Sequence, residues 1–306
     1  MDEFELIRRF FSRDANAGDV VVGVGDDGAL LRPTPGTDQV HVIDTLVEGV
    51  HFPANISAAD IGYRVVAVNL SDIAAMGAMP RWMTLALTLW DKDEQWVEGF
   101  ADGLYAAAGA HNVALVGGDT TQGDSVVATV HLTGEVEQGE ALLRSGAQVG
   151  DTVYVTGTVG DAAAGLSLLQ SGVTDVGLVQ RFLRPEARIE QGRELRGRAH
   201  AVIDISDGLV ADLGKLAAAS GVGAEIDMSK LPLSAALLAR YDRGSAEQLA
   251  LTGGDDYELC FTAPADAVAD LDGITAIGVV TEGDRIVCRR NDEIVEVDAS
   301  GYRHFS

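Results

Sequence analysis

Strand-like and helix-like patterns alternate along this chain almost without a break, and that alternation limits it to layered α/β or α+β architectures. A helix is expected near residues 3–13, then short strands around 20–23 and 28–32 and another at 39–44. A long helix follows over roughly 58–76. It opens at Ser57 with Asp60 three residues on, a capping-box-like spacing, and stops at Gly77. A strand at 82–89, a helix near 94–110 and strands at 113–116 and 125–136 complete the first half. The small, polar run Ser145-Gly146-Ala147-Gln148-Val149-Gly150-Asp151 reads as a junction, giving domains 1–148 and 149–306. The second half opens on a strand at 152–156. Helices are expected near 161–171, 175–183 and 186–196, a strand at 201–203, a helix at 207–220 and helices near 234–250. A strand at 257–262 and a strand-rich tail to 297 end the pattern.

The chain is 306 residues long and 47% hydrophobic, enough for two ordinary domains with a sizeable core. No apolar run approaches the roughly 18–20 residues of a membrane helix. The start, Met1 to Arg9, reads as an acidic amphipathic helix without the basic and apolar regions of a signal peptide, so a cytoplasmic location is expected. With 22 basic and 47 acidic residues the net charge is −25, which argues against a basic patch for nucleic acid or anionic lipid. Cys260 and Cys288 sit in apolar, strand-like runs. They admit one disulfide, but buried free thiols are expected. The six histidines are scattered, and no Cys/His cluster has zinc spacing.

Gly23-Val24-Gly25-Asp26-Asp27-Gly28 matches the dinucleotide pattern G-x-G-x-x-G. That motif needs a helix to open within the loop, and Ala29-Leu30-Leu31-Arg32, with Pro33 and Pro35 behind it, reads as a strand instead. Two aspartates would also repel a pyrophosphate unless a cation lay between. A Walker A motif is absent, since none of the three lysines, Lys92, Lys215 and Lys230, stands in its context. If the chain handles phosphates, metal must supply most of the neutralising charge.

Several aspartates do not look like solvated surface. Asp72 falls on the apolar stripe of Ile61, Val65, Val68 and Met76, near a helix C-terminus that disfavours a carboxylate. A buried charge there calls for a partner or a metal, the alternative being a frayed end that reaches solvent. Asp44 closes the apolar run Val40 to Ile43, and Asp119 follows Gly117 and Gly118 in what reads as a turn. Asp204 and Asp207 bracket Ser206 at a strand-to-helix junction; they serve as N-cap and first-turn acids, or they hold a metal at a phosphate-binding helix start. Mg²⁺ takes hard oxygen ligands and uses one or two carboxylates plus phosphate oxygens. Aspartates in this number suit several such ions, and point to phosphoryl transfer or two-metal phosphoester hydrolysis.

In these motifs the chain resembles the thiamine-monophosphate kinases over essentially its whole length. The resemblance is carried by Gly23-Val24-Gly25-Asp26-Asp27, by Asp44-Thr45-Leu46-Val47 leading to His51-Phe52, and by Asn69-Leu70-Ser71-Asp72-Ile73. It continues through Gly117-Gly118-Asp119-Thr120-Thr121, Arg144-Ser145-Gly146, Asp204-Ile205-Ser206-Asp207-Gly208, Gly253-Gly254-Asp255-Asp256-Tyr257-Glu258 and Gly301-Tyr302-Arg303-His304-Phe305. It implies the two-domain α/β (α+β) fold shared with aminoimidazole-ribotide and selenophosphate synthetases. There the N-terminal α/β domain pairs its sheet across a homodimer, and a C-terminal α/β domain with a mixed sheet completes the nucleotide and substrate sites. It further implies ATP and thiamine phosphate as substrates and several Mg²⁺ ions. The implied metal ligands are Asp27, Asp44, Asp72, Asp119, Asp204 and Asp207. The implied ATP contacts are Tyr105, Gly118, Asp119, Arg144 and Ser206, and the implied thiamine-phosphate contacts are His51, Asp255 and Tyr302. Val42 and Ile43 depart from the hydroxyl residues usual before Asp44, and Asp255 stands where the family usually has glutamate. A sister enzyme of the same fold, a non-catalytic nucleotide or metal sensor, and a metallophosphatase are the competing readings.

Overall fold

The structure, a computed structural model, describes residues 3–13, 18–90, 93–173, 176–291, 293–297 and 301. It divides into two compact units, Met1–Ile73 with Ala78–Gly139, and Ala74–Gly77 with Glu140–Ser306. Both mix helices with sheets. Among the described residues no helix is long and apolar enough to cross a membrane.

The first unit opens with α1 (Glu3–Leu6), which continues as a π-helical segment over Ile7–Phe11 and buries Leu6, Phe10 and Phe11. A ribbon of β1 (Val20–Val22) and β2 (Leu30–Leu31) lays Val20 and Leu31 against Trp82, Ala114 and Val116. The elements that follow are β3 (Thr37–Val47), α2 (Ala58–Ala75), β4 (Met79–Leu89), α3 (Glu94–Ala110), β5 (Ala114–Gln122) and β6 (Val127–Glu137). The sheet order is β3-β6-β4-β5, with β4 and β5 parallel and the other neighbours antiparallel. Its period-2 pattern buries Ala128, Val130 and Leu132 of β6 opposite Leu87, Leu85 and Met83 of β4. At the start of α2 the Ser57 hydroxyl accepts the Asp60 N–H at 3.1 Å and donates to the Asp60 carboxylate at 2.7 Å. A side chain cannot fit where α2 meets α3: a Cβ on Gly62 would lie 2.0 Å from the Phe100 carbonyl oxygen, and one on Gly103 would lie 1.8 Å from that of Ala59.

The second unit contains β7 (Thr152–Thr156), α4 (Asp161–Gln170), α5 (Val176–Leu183), α6 (Ile189–Glu194), β8 (Ala201–Asp204), α7 (Leu209–Ser220) and β9 (Gly223–Asp227). It continues with α8 (Ala235–Arg240), α9 (Arg243–Thr252), β10 (Leu259–Ala263), β11 (Ile274–Thr281), β12 (Ile286–Arg290) and β13 (Glu293–Val295). Seven strands form a mixed sheet in the order β13-β12-β9-β11-β7-β10-β8, with β12 parallel to β9. Val153, Val155, Ile203, Leu213 and Ile277 fill its core. The helices expected near 234–250 are α8 and α9, which part at Tyr241-Asp242, where the Asp242 carboxylate accepts the Ser245 N–H at 3.1 Å and starts the second. Cys260 on β10 and Cys288 on β12 are free and buried. Three strands lie between theirs, so four spacings of about 4.8 Å put them beyond disulfide reach.

Candidate functional site

In the first unit a cavity of about 380 Å³ opens where the Val24–Asp27 loop meets β5. Phe11, Leu85 and Leu115 give it an apolar wall, and Asp27, Gly118 and Asp119 a polar one. No helix opens in the loop, and Asp26 turns its carboxylate onto the Asp27 N–H at 2.8 Å. The Rossmann geometry is therefore absent from it. Gly117-Gly118-Asp119 is not the turn its composition suggested. The strand runs on to Gln122, with Gly118 beside Leu85 and Asp119 beside Ala86. A Cβ on Gly118 would lie 2.0 Å from the Leu85 carbonyl oxygen, so glycine lets β5 pass there and carries the exposed Asp119 to the cavity wall.

Asp44 lies within β3 and not at its end, half-buried, in register with Val130. Val42 shares its face, whereas Ile43 points to the opposite one and is 63% exposed. Asp72 is half-buried one turn before the end of α2, whose Ile61, Val65 and Val68 are fully buried. The Nδ1 of His51 accepts the Val47 N–H at 3.0 Å, which leaves the ring proton on Nε2. Tyr105 on α3 is half-buried beneath the Arg13 guanidinium, 4.4 Å from the ring centre, and burial pushes its phenol above the ordinary value. Asp44, Asp72, His51 and Tyr105 stand outside the described lining of the cavity.

In the second unit Asp204 is buried at the end of β8, and Ser206 and Asp207 are half-buried in the loop before α7. That loop is governed by a residue which the sequence reading passed over. Asp212, 1% exposed, accepts the N–H groups of Ser206, Asp207 and Gly208 on one oxygen at 2.9, 2.9 and 3.1 Å. Its other oxygen takes the Lys215 ammonium at 2.7 Å, and Lys215 also reaches Asp207 at 2.5 Å. Burial raises the Asp212 carboxyl against the opposing pull of Lys215 and the backbone donors. The helix start expected to seat phosphate thus already holds a carboxylate of the protein itself. The signal was present in the sequence: Asp212 stands among Leu209, Leu213 and Leu216 on α7, the same argument that singled out Asp72.

Asp255, in the left-handed region at φ 60°, donates its N–H to the Ser206 carbonyl at 2.9 Å and accepts the Tyr257 hydroxyl at 3.1 Å. Its motif neighbours serve the fold. Asp256 is buried and accepts the Gly160 and Ala162 N–H groups at 2.8 and 3.3 Å; burial pushes its carboxyl up to about 8. Glu258, also buried, takes Arg188 through two bonds at 2.6 and 2.7 Å and Arg181 at 2.6 Å. Arg144 is exposed, and its carbonyl accepts the Ser220 hydroxyl at 3.2 Å. Tyr302 lies outside the described residues. Among the described residues no three His, Cys, Asp or Glu side chains converge as a metal cage.

Residues 25–136 match the AIR synthase related protein N-terminal domain, and residues 148–291 match the corresponding C-terminal domain. The thiamine-monophosphate kinase of Escherichia coli K12 is 47% identical over 320 residues, covering 99% of this chain and 98% of the relative. The chain belongs to the thiamine-monophosphate kinase family. A crystal structure of the thiamine-monophosphate kinase from Stenotrophomonas maltophilia is 45% identical with a TM-score of 0.87, over 96% of this chain and 98% of that one. AaThiL complexed with AMPPCP and TMP is 35% identical with a TM-score of 0.83, over 99% of this chain and 96% of that one. The two-domain α/β architecture of the family is thus the architecture found here.

Proposed function

We propose that this chain is a thiamine-phosphate kinase: it transfers the γ-phosphoryl of ATP to thiamine phosphate, giving thiamine diphosphate and ADP in thiamine diphosphate biosynthesis. The reading is carried by end-to-end identity of 47% with a thiamine-monophosphate kinase, and the complex of a relative with AMPPCP and TMP supports both substrates. An apolar-walled cavity flanked by Asp27, Gly118 and Asp119 suits a nucleotide. We assign metal binding to Asp27, Asp44, Asp72, Asp119, Asp204 and Asp207. ATP contacts are assigned to Tyr105, Gly118, Asp119, Arg144 and Ser206, and acceptor contacts to His51, Asp255 and Tyr302. Residues 1–148 would carry nucleotide binding and dimerisation and residues 149–306 would complete the sites, in a cytoplasmic homodimer.

The donor set fits Mg²⁺. Its oxygens are hard, and Asp27 and Asp119 share one cavity wall, which matches an ion that takes one or two carboxylates and leaves its remaining positions to phosphate and water. Bound Mg²⁺ would neutralise the phosphates of two mutually repelling anions. The chain's own part is positioning. His51, its Nδ1 occupied, offers Nε2–H as a donor to the acceptor's phosphate. An oxygen of thiamine phosphate attacks the γ-phosphorus, and the bond from that phosphorus to the β,γ-bridging oxygen breaks, releasing ADP. A phosphate monoester is an anionic nucleophile and needs no strong general base, so no phosphoenzyme forms.

The test is thiamine phosphate with Mg-ATP, scored for thiamine diphosphate and ADP in equal amounts. No product would overturn the reading, and phosphate released from thiamine phosphate without ATP would mark a phosphatase. With γ-labelled ATP and no acceptor, the protein should stay unlabelled; bound label that chases into thiamine diphosphate would overturn direct transfer.

A further inference from the structure

The Ile205–Gly208 loop is locked from two sides. Three consecutive N–H groups turn inward onto Asp212. On the other side the Ile205 and Ser206 carbonyls accept the N–H groups of Tyr257 and Asp255, both at 2.9 Å, and the Ile205 N–H reaches the Glu258 carbonyl at 2.8 Å. Glycine is required at both joints. Gly208 has φ 121°, and a Cβ on Gly254 would lie 2.6 Å from the Ser206 carbonyl oxygen. With its N–H and carbonyl both engaged, Ser206 has its side-chain oxygen left to offer, and at Asp207, whose N–H is also taken, what remains is oxygen.

Three N–H groups in series at a helix start ordinarily make an anion seat. We infer, resting on the reaction proposed above, that Asp212 is a positioning residue which fills this seat and so converts the loop into a cation-binding turn, with Lys215 as the counter-cation a metal ion must displace from Asp207. A carboxylate at Asp212 cancels the positive end of α7 that would otherwise oppose a cation at Asp204 and Asp207. Lys215, 42% exposed at its side chain, is tied to Asp212 and can release Asp207 while keeping that tie. The nucleotide's phosphates are then held at this loop through metal and side-chain oxygen, and not by a backbone cradle.

Two variants should move metal affinity in opposite directions. Asp212→Asn offers one acceptor oxygen to three donors, turns an amide N–H₂ toward Lys215 and leaves that ammonium wholly to Asp207. Mn²⁺ binding measured by electron paramagnetic resonance with AMPPCP should weaken about 10–100-fold, the range for losing a residue that orients metal ligands. The KM for Mg-ATP should rise while that for thiamine phosphate holds. Lys215→Met keeps the three N–H bonds and removes the competitor, so Mn²⁺ affinity should rise severalfold. A role confined to stability would lower the melting temperature of both and leave Mn²⁺ affinity alone. Wild-type Mn²⁺ affinity in a folded Asp212→Asn variant, or weakened affinity in Lys215→Met, would overturn the inference. If Asp212→Asn does not fold, the sign of the Lys215→Met change decides alone. The Mn²⁺ readout needs no acceptor, so it stays decisive even if wild type fails to phosphorylate thiamine phosphate.

Discussion

A carboxylate one turn before the end of a helix faces the negative pole of that helix, and Asp72 sits there half-buried beside a fully apolar stripe. We propose metal ligation as its role there. Asp72→Asn keeps the shape and removes the charge, so kcat at saturating Mg²⁺ should fall about 100-fold or more with little change in melting temperature. Near-normal turnover would remove Asp72 from the ligand set. Asp256 makes the opposite case, a carboxyl held for the fold. Its folded-state value is raised to about 8, so between about pH 4 and 8 the folded chain keeps a proton that the unfolded chain releases. The stability it contributes is complete below that window and declines as pH rises through it. Asp256→Asn should therefore flatten the fall in melting temperature between about pH 5 and 8. An unchanged slope would mean that the carboxylate is ionised in the folded state.

At the level of elements, α2 and α3 approach so closely that Gly62 and Gly103 meet backbone and not side chain. Gly103→Ala must push the helices apart and should cost about 1–3 kcal/mol, as overpacking does. For a chain of this size each kcal/mol lowers the melting temperature by roughly 2–4 °C. A wild-type melting temperature would show that the crossing is looser than this. The sequence made α2 legible down to its Ser57 cap, because apolar period and capping chemistry agree there. It misplaced the end of β5, since Gly117 and Gly118 look like a turn until Leu85 is known to pass beside them. It missed β9 altogether. Gly223-Ala224-Glu225-Ile226-Asp227 is poor in strand formers, and its strand comes from hydrogen bonds to β11 and β12, more than fifty residues on. The candidate site divides in the same way. Aspartates beside apolar runs, beside glycines and on a helix stripe were readable one by one, whereas the grip of Asp212 on three N–H groups depends on how the chain turns between β8 and α7.

For the whole molecule, a net charge of −25 makes any two copies repel, so self-association requires a surface that is locally uncharged. The first unit offers one. β3 is an eleven-residue edge strand, long for an edge left open to solvent. The face it shares with β6 carries His41, Ile43, Thr45, Thr129 and His131, and its carboxylates, Glu135 and Glu137, lie toward one end of the pair, opposite Gln39 and Thr37. His41 and His131 stack there at 5.4 Å, and burial, with His41 alongside, holds His131 below the usual imidazole value, so His131 favours its neutral state. Ile43 projects from this face 63% exposed, where a monomer gains nothing from an apolar side chain. We therefore expect a homodimer through this sheet face, sedimenting at twice the 32.0 kDa chain mass at micromolar concentration. Raising the salt from about 0.05 to 0.5 M should tighten it, because screening weakens the mutual repulsion. Ile43→Asp adds a charge to each copy at the contact and should shift the population to monomer while the melting temperature of the chain changes little. A wild-type monomer would refute the dimer, and an Ile43→Asp dimer of unchanged affinity would move the interface away from β3.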